Sequence, residues 1–146
     1  ARSMAFDDFL LGFRGEFKKR VTDEDNAAFG ELSGDLNPIH FGDDAARAVG
    51  FAARISNGFV TESRIAAALV ETFGSPDTLV MAIEKNTRFL KPVYMGDEIT
   101  ATVEVIGRIK SLSALKIRAA CWNQNGEQVV ATTMVIRLLH PSPSRA

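Results

Sequence analysis

The sequence predicts an α+β fold in which a strongly curved antiparallel sheet wraps one long central helix. Three observations lead there. Between Gly58 and Phe73 the apolar residues Phe59, Val60, Ile65, Leu69, Val70 and Phe73 recur at helical spacing, with Ala66, Ala67 and Ala68 between them. The later turns of that helix are therefore apolar nearly all round and require something wrapped about them. After residue 74 the pattern changes to stretches rich in β-branched residues, parted by turns that contain Gly or Pro. Finally, 146 residues with 46% hydrophobic content suffice for one domain with a sizeable core, and a second domain is not expected.

Taken in order, residues 16–21 read as a short strand. Thr22-Asp23-Glu24-Asp25 then opens a helix, because a hydroxyl followed three residues later by a carboxylate satisfies the orphan amides of a first turn. Ala27, Ala28, Phe29 and Leu32 give this helix an apolar side, and it ends by Gly34. Residues 33–41 form a loop dense in turn formers, where Pro38 pushes Asn37 out of the helical region. Asp43 or Asp44 is expected to cap a short helix through Val49, closed by Gly50. An irregular stretch leads to Asn57, and the long helix follows. Four strands come after it, at residues 78–89, 98–108, 112–123 and 128–139, the last two joined at Asn125-Gly126, a strong hairpin signal. One domain spans residues 1–146, its core at about 15–139 and its tail from His140 loose. An open sheet with an edge to hide pairs readily with its own copy, so a homodimer, or a larger assembly of dimers, is expected.

Composition narrows the partners. Lys and Arg number 17 against 18 Asp and Glu, a formal net charge of -1, so no global field attracts nucleic acid or a membrane surface. The longest apolar segment, from Ile65 to Val70, is far short of a membrane span. A single cysteine, Cys121, excludes an intrachain disulfide and a cysteine-based zinc site, which suits a cytoplasmic protein without a metal. Cys121 and Trp122 are adjacent on a strand, so one faces inward and the other outward. Glu62 and Arg64, early in the long helix, can ion-pair at a subunit contact.

The chemistry concentrates in the loop. Ser33, Gly34, Asn37 and Pro38 fix its course, and it can hold the carboxylate of Asp35 and the imidazole of His40 toward one cavity, a usable acid–base pair. The same residues are also ordinary turn chemistry, with Asp35 and Asn37 capping turns and His40 at a surface position.

Phe29-Gly30-Glu31-Leu32-Ser33-Gly34-Asp35-Leu36-Asn37-Pro38-Ile39-His40, followed by Ala45 and Ala46, closely resembles the signature of the MaoC-like, or hydratase 2, family. The likeness continues through Phe51 and Ile55 to Gly58 and through Phe89-Leu90-Lys91-Pro92-Val93-Tyr94-Met95-Gly96-Asp97-Glu98-Ile99, covering roughly residues 15–138. The resemblance implies a hot-dog fold and an (R)-specific enoyl-CoA hydratase, equally a 3-hydroxyacyl-CoA dehydratase. The substrate is then an acyl-CoA thioester, with coenzyme A arriving as part of it and no separate cofactor.

Carried onto this chain, the family's catalytic aspartate falls on Asp35 and its histidine on His40. Together they hold one water that attacks the β-carbon of a trans-2-enoyl thioester while a proton reaches the α-carbon on the same face. The amide of Gly58, at the front of the long helix, is the candidate donor to the thioester oxygen. A plain helix-start glycine has the same appearance. Asn57 stands where many members carry His, and Ala66 where some carry Ser, with Ser63 one turn earlier; Asn57 and Ser63 are thus candidates for substrate contact. Arg88 and Lys91 are candidates for the phosphates or pantetheine of coenzyme A, or belong to a solvated face. Two alternatives to hydration are an acyl-CoA thioesterase of the same fold and a non-catalytic acyl-binding module, the latter suggested by Asn57 and Ala66.

Overall fold

The computed structural model describes residues 4–142 and runs β1 (Arg14–Arg20), α1 (Asp23–Ser33), α2 (Asp43–Ala48), α3 (Gly58–Phe73), β2 (Leu79–Phe89), β3 (Glu98–Ile109), β4 (Ala114–Trp122) and β5 (Gln128–Leu139). One-turn 3-10 helices sit at Phe6–Asp8, Pro38–His40 and Lys110–Leu112. The expected loose tail falls partly on residues 143–146, outside the described residues; His140 itself is tied by its ring Nδ1 to the Asp77 carbonyl at 3.1 Å. Among the described residues no helix is long and apolar enough to cross a membrane.

The strands form one antiparallel sheet in the order β1-β3-β4-β5-β2. Alternation explains its two faces. On β3, Ile99, Ala101, Val103 and Val105 are buried; on β4, Leu115, Ile117, Ala119 and Cys121; on β5, Val130, Met134, Ile136 and Leu138. These meet Val60, Ile65, Ala68, Leu69 and Phe73 of α3 in a single core. Phe9 closes one end, edge-on to Phe73 with ring centroids 5.1 Å apart. Register breaks between Ala82 and Glu84 and between Val105 and Gly107 are β-bulges, which bend a strand and increase its twist, as a sheet curled about a helix requires. This is the hot-dog arrangement. As the alternation predicts, Cys121 is buried against α3 while Trp122 faces outward and donates its indole N–H to the Thr102 hydroxyl at 3.0 Å.

Several expectations are revised. The cap of α2 is Gly42 rather than Asp43 or Asp44: Asp43 lies inside the first turn and accepts from Arg54 instead. The fourth strand starts at Ala114, because a 3-10 turn and Ser113, left-handed at φ 46°, intervene. Helix α3 is not covered all round. A stripe through Phe59, Ser63, Ala66 and Val70 is exposed, with Phe59 56% and Val70 59% accessible in the single chain. Glu62 pairs with Lys85 and Arg64 with Asp25, both within the chain.

Candidate active site

The loop after α1 is built from nested turns. Gly34 takes the left-handed conformation (φ 81°) that ends the helix, its N–H donating to the Gly30 carbonyl. Three side chains then fold back on their own backbone: the Ser33 hydroxyl accepts from the N–H of Asp35 at 3.0 Å, Asp35 Oδ1 from the N–H of Asn37 at 3.1 Å, and Asn37 Oδ1 from the N–H of Ile39 at 3.3 Å. Pro38 opens the 3-10 turn that carries His40. Local chemistry thus sets the course of the backbone that carries Asp35 and His40.

Tertiary contacts fix the rest. The Ile55 N–H donates to the Ile39 carbonyl at 3.0 Å, and the Ile55 carbonyl lies 2.8 Å from His40 Nδ1. A carbonyl can only accept, so Nδ1 carries a proton, and the neutral tautomer compatible with this contact has its lone pair on Nε2. Arg54, next to Ile55, clamps the segment by a bidentate pair to Asp23 of α1, 2.8 Å to each oxygen, and a third bond of 2.8 Å to Asp43 of α2. His40 is thereby held in a ring of short elements whose ends are tied together.

Asp35 has a second partner. Its Oδ2 accepts from Asn57 Nδ2 at 2.7 Å. The backbone N–H of Asn37 and the Asn57 amide hold the carboxyl below the ordinary carboxylate range; partial burial opposes this, and the nearby His40 adds to it. The ionised form is the resting form. One oxygen serves the turn and the other the site, so the two readings of this residue coexist.

At the front of α3, Asn57 Oδ1 accepts from the N–H of Phe59 at 2.9 Å, and the Asn57 carbonyl accepts from Val60 at 3.0 Å and Thr61 at 3.2 Å. Of the first-turn amides only that of Gly58 has no acceptor among the described residues, and it sits at the positive end of the helix dipole. Asp35, His40 and Gly58 line one cavity of about 420 Å³, together with Asn57, Thr61 and an apolar wall that includes Phe51, Phe89, Val93 and Val130. Phe59 and Phe89 are among its lining residues, and Phe29, Phe59 and Phe89 stand in a row, neighbouring ring centroids 6.0 Å apart.

Of the other predicted residues, Ser33, Asn37 and Pro38 act through the loop. Lys91 lines the cavity and pairs with Glu127 at 2.7 Å. Arg88 does not join them. Strand alternation turns it, unlike Phe89, to the outer face of the sheet, where it lines a separate groove with Trp122 and Arg118. Ser63 hydrogen-bonds the Val60 carbonyl at 2.6 Å and lies off the cavity wall. Asn26 was not foreseen: buried on α1, it accepts the Asn57 N–H at 2.7 Å. A polar side chain on the inward side of α1 was the available signal. Among the described residues no three His, Cys, Asp or Glu side chains cluster as a metal site would.

Known proteins resemble this chain in sequence and in fold. Residues 12–121 match the family model described as MaoC like domain. The 3-hydroxybutyryl-CoA dehydratase of Methylorubrum extorquens is 32% identical over 129 residues, 88% of this chain and 80% of that protein. The (R)-specific enoyl-CoA hydratase of Rhodospirillum rubrum is 30% identical over 116 residues, 80% of this chain and 79% of that protein. The structure of the (R)-hydratase from Aeromonas caviae involved in PHA biosynthesis superposes with a TM-score of 0.82 at 26% identity, over 95% of this chain and all of that one.

Proposed function

The chain belongs to the MaoC-like family, and from that premise we propose that it catalyses the reversible addition of water to a trans-2-enoyl-CoA, giving the (R)-3-hydroxyacyl-CoA, with Asp35 and His40 as its acid–base pair. The observation that carries this reading is the convergence of the pair on one cavity. Asp35 and His40 line one cavity with Gly58, and the contact of His40 Nδ1 with the Ile55 carbonyl at 2.8 Å leaves Nε2 as the ring nitrogen available to a water there.

A water held between them is oriented by two acceptors. Its oxygen bonds to the β-carbon as one of its protons passes to the pair, and the double-bond electrons move toward the α-carbon and the thioester oxygen. The Gly58 N–H meets the charge growing on that oxygen. The pair then returns a proton to the α-carbon, leaving H and OH added on one face and both side chains as they began. No cofactor is needed, and coenzyme A enters as part of the substrate. Lys91, at the mouth, is the residue best sited for its phosphates.

A homodimer goes with this reading. Edge strand β2 exposes Leu79, Met81 and Ile83 beside the uncovered stripe of α3, an apolar surface that a second copy would bury. So do a cytoplasmic location and a role in fatty acid metabolism. Crotonyl-CoA tests the reaction: loss of the enoyl absorbance with the thioester intact supports hydration, whereas release of free thiol supports a thioesterase, and binding without either change supports an acyl-binding module.

A further inference from the structure

Resting on the reading of Asp35 as one half of the acid–base pair, we propose that Asn57 is a positioning residue whose single carboxamide joins the cap of α3 to the carboxylate of Asp35. The amide has one donor end and one acceptor end, and each has one job: Oδ1 takes the Phe59 N–H at 2.9 Å, and Nδ2 gives to Asp35 Oδ2 at 2.7 Å. A flipped amide would set oxygen against carboxylate oxygen and N–H against N–H, so the orientation is forced. The residue cannot easily move. It is 4% exposed, its own N–H is held by Asn26 Oδ1 at 2.7 Å, and Asn26 is 2% exposed and anchored in turn to the Thr22 carbonyl at 3.1 Å.

Two consequences follow. First, the Asp35 carboxylate plane is fixed by donors at both oxygens, Asn37 N–H on one and Asn57 on the other, which leaves each oxygen a lone pair for water. Second, Asn57 occupies the other first-turn amides, Phe59 through its side chain and Val60 and Thr61 through its carbonyl, so that Gly58 alone is left to face substrate. Proton acceptor and oxyanion donor are set in place by one residue, which is how a chain with Asn before this glycine keeps both.

The other charged groups near the pair are few. Lys91 lines the same cavity, paired with Glu127; Arg54, beside Ile55, is paired with Asp23 and Asp43; between α1 and α3 Asp25 and Arg64 pair with each other, and Glu62 pairs with Lys85. Substitution at 57 can therefore be read through Asp35.

Two variants separate the cap from the contact. Asn57→Ser keeps an oxygen to cap α3 but cannot reach Asp35. Asn57→Asp keeps the cap and sets a second carboxylate against the first, so the two must share a proton, and their common ionisation rises. With crotonyl-CoA, Asn57→Ser is expected to lose at least about tenfold in kcat with KM within about threefold and little change in melting temperature. Asn57→Asp is expected to gain a limb in its pH profile, activity falling as pH rises through the shared ionisation, where the wild type shows none. Asn57→Ser within threefold of wild-type kcat, or Asn57→Asp with the wild-type profile, overturns the proposal. If Asn57→Ser does not fold, the pH limb of Asn57→Asp decides alone, because Asp is among the strongest helix caps. Asp35→Asn measured alongside tells the two readings apart. If it is inactive while Asn57→Ser is unaffected, only this inference fails; if it is active, the reading of the site fails with it.

Discussion

Gly58 offers a way to remove one hydrogen bond from the reaction while leaving the fold almost alone. A proline here stands at the first position of α3, where proline is favoured because its missing N–H has no intrahelical partner. The residue before it is already out of the helical region that a following proline disfavours: Asn57 has ψ 131°. The cost is steric. A Cβ at 58 would lie 2.7 and 2.8 Å from Cε1 and Cδ1 of Phe89, about 1 Å inside an ordinary carbon contact. Because the ring is half exposed on an edge strand it can swing outward, at a cost in stability of about 1–3 kcal/mol.

Gly58→Ala carries the same Cβ and keeps the N–H, so it isolates the donor. Losing one oxyanion donor lowers kcat by about 10²–10³, roughly 3–4 kcal/mol. The expectation is that Gly58→Pro turns over crotonyl-CoA about 10²–10³ more slowly than Gly58→Ala, with both proteins melting within a few degrees of one another. Steady-state kinetics on the two purified variants measure the ratio. Equal kcat values would refute the assignment of the Gly58 amide to the thioester oxygen.

Asp23, Asp25, Asp35, Asp43 and Glu127 all have carboxyls held below their ordinary range, so the folded state binds fewer protons than the unfolded chain near pH 4. Their stabilisation is complete above the ordinary range and lost as pH falls through the depressed values; melting temperature should hold from neutrality to about pH 5 and drop below about pH 4, and a flat profile to pH 3 would contradict the pairings. The Cys121 thiol, buried under α3, is pushed up to about 12 by that burial, with Glu62 adding to it, so a thiol reagent should label it only on unfolding. Hydration in deuterated water should give a product with deuterium and hydroxyl added on the same face, as proton and oxygen both come from the side on which Asp35 and His40 lie; anti addition, read by proton NMR coupling, would exclude a single water held by the pair.

Where signals are local, sequence reasoning reached the structure. The box at Thr22 and Asp25, the left-handed end at Gly34, the nested Ser33, Asp35 and Asn37 turns and the strand alternation that separates Cys121 from Trp122 depend on neighbours within a few residues. The misses involve long-range partners. Asp43 reads as a helix cap because nothing local announces that Arg54 will occupy it. Arg88 and Lys91 look alike beside a proline, yet the alternation ends at Phe89 and puts them on different surfaces. Asn57 and Asp35, 22 residues apart, touch only because the Ile55 segment is stitched onto the loop. The exposed stripe of α3 is invisible to a helical-period count, since that count reports apolarity and not what covers it.

The central claim is that Asp35 and His40 act on one water as a unit, and a double-mutant cycle on kcat for crotonyl-CoA tests it most directly. Asp35→Asn and His40→Ala should each lower kcat by about 10² or more, and the double variant should lose little beyond the worse single, because the second removal acts on a water already lost. A double variant whose loss equals the product of the two single losses would mean that the groups work independently, and the shared water would be wrong.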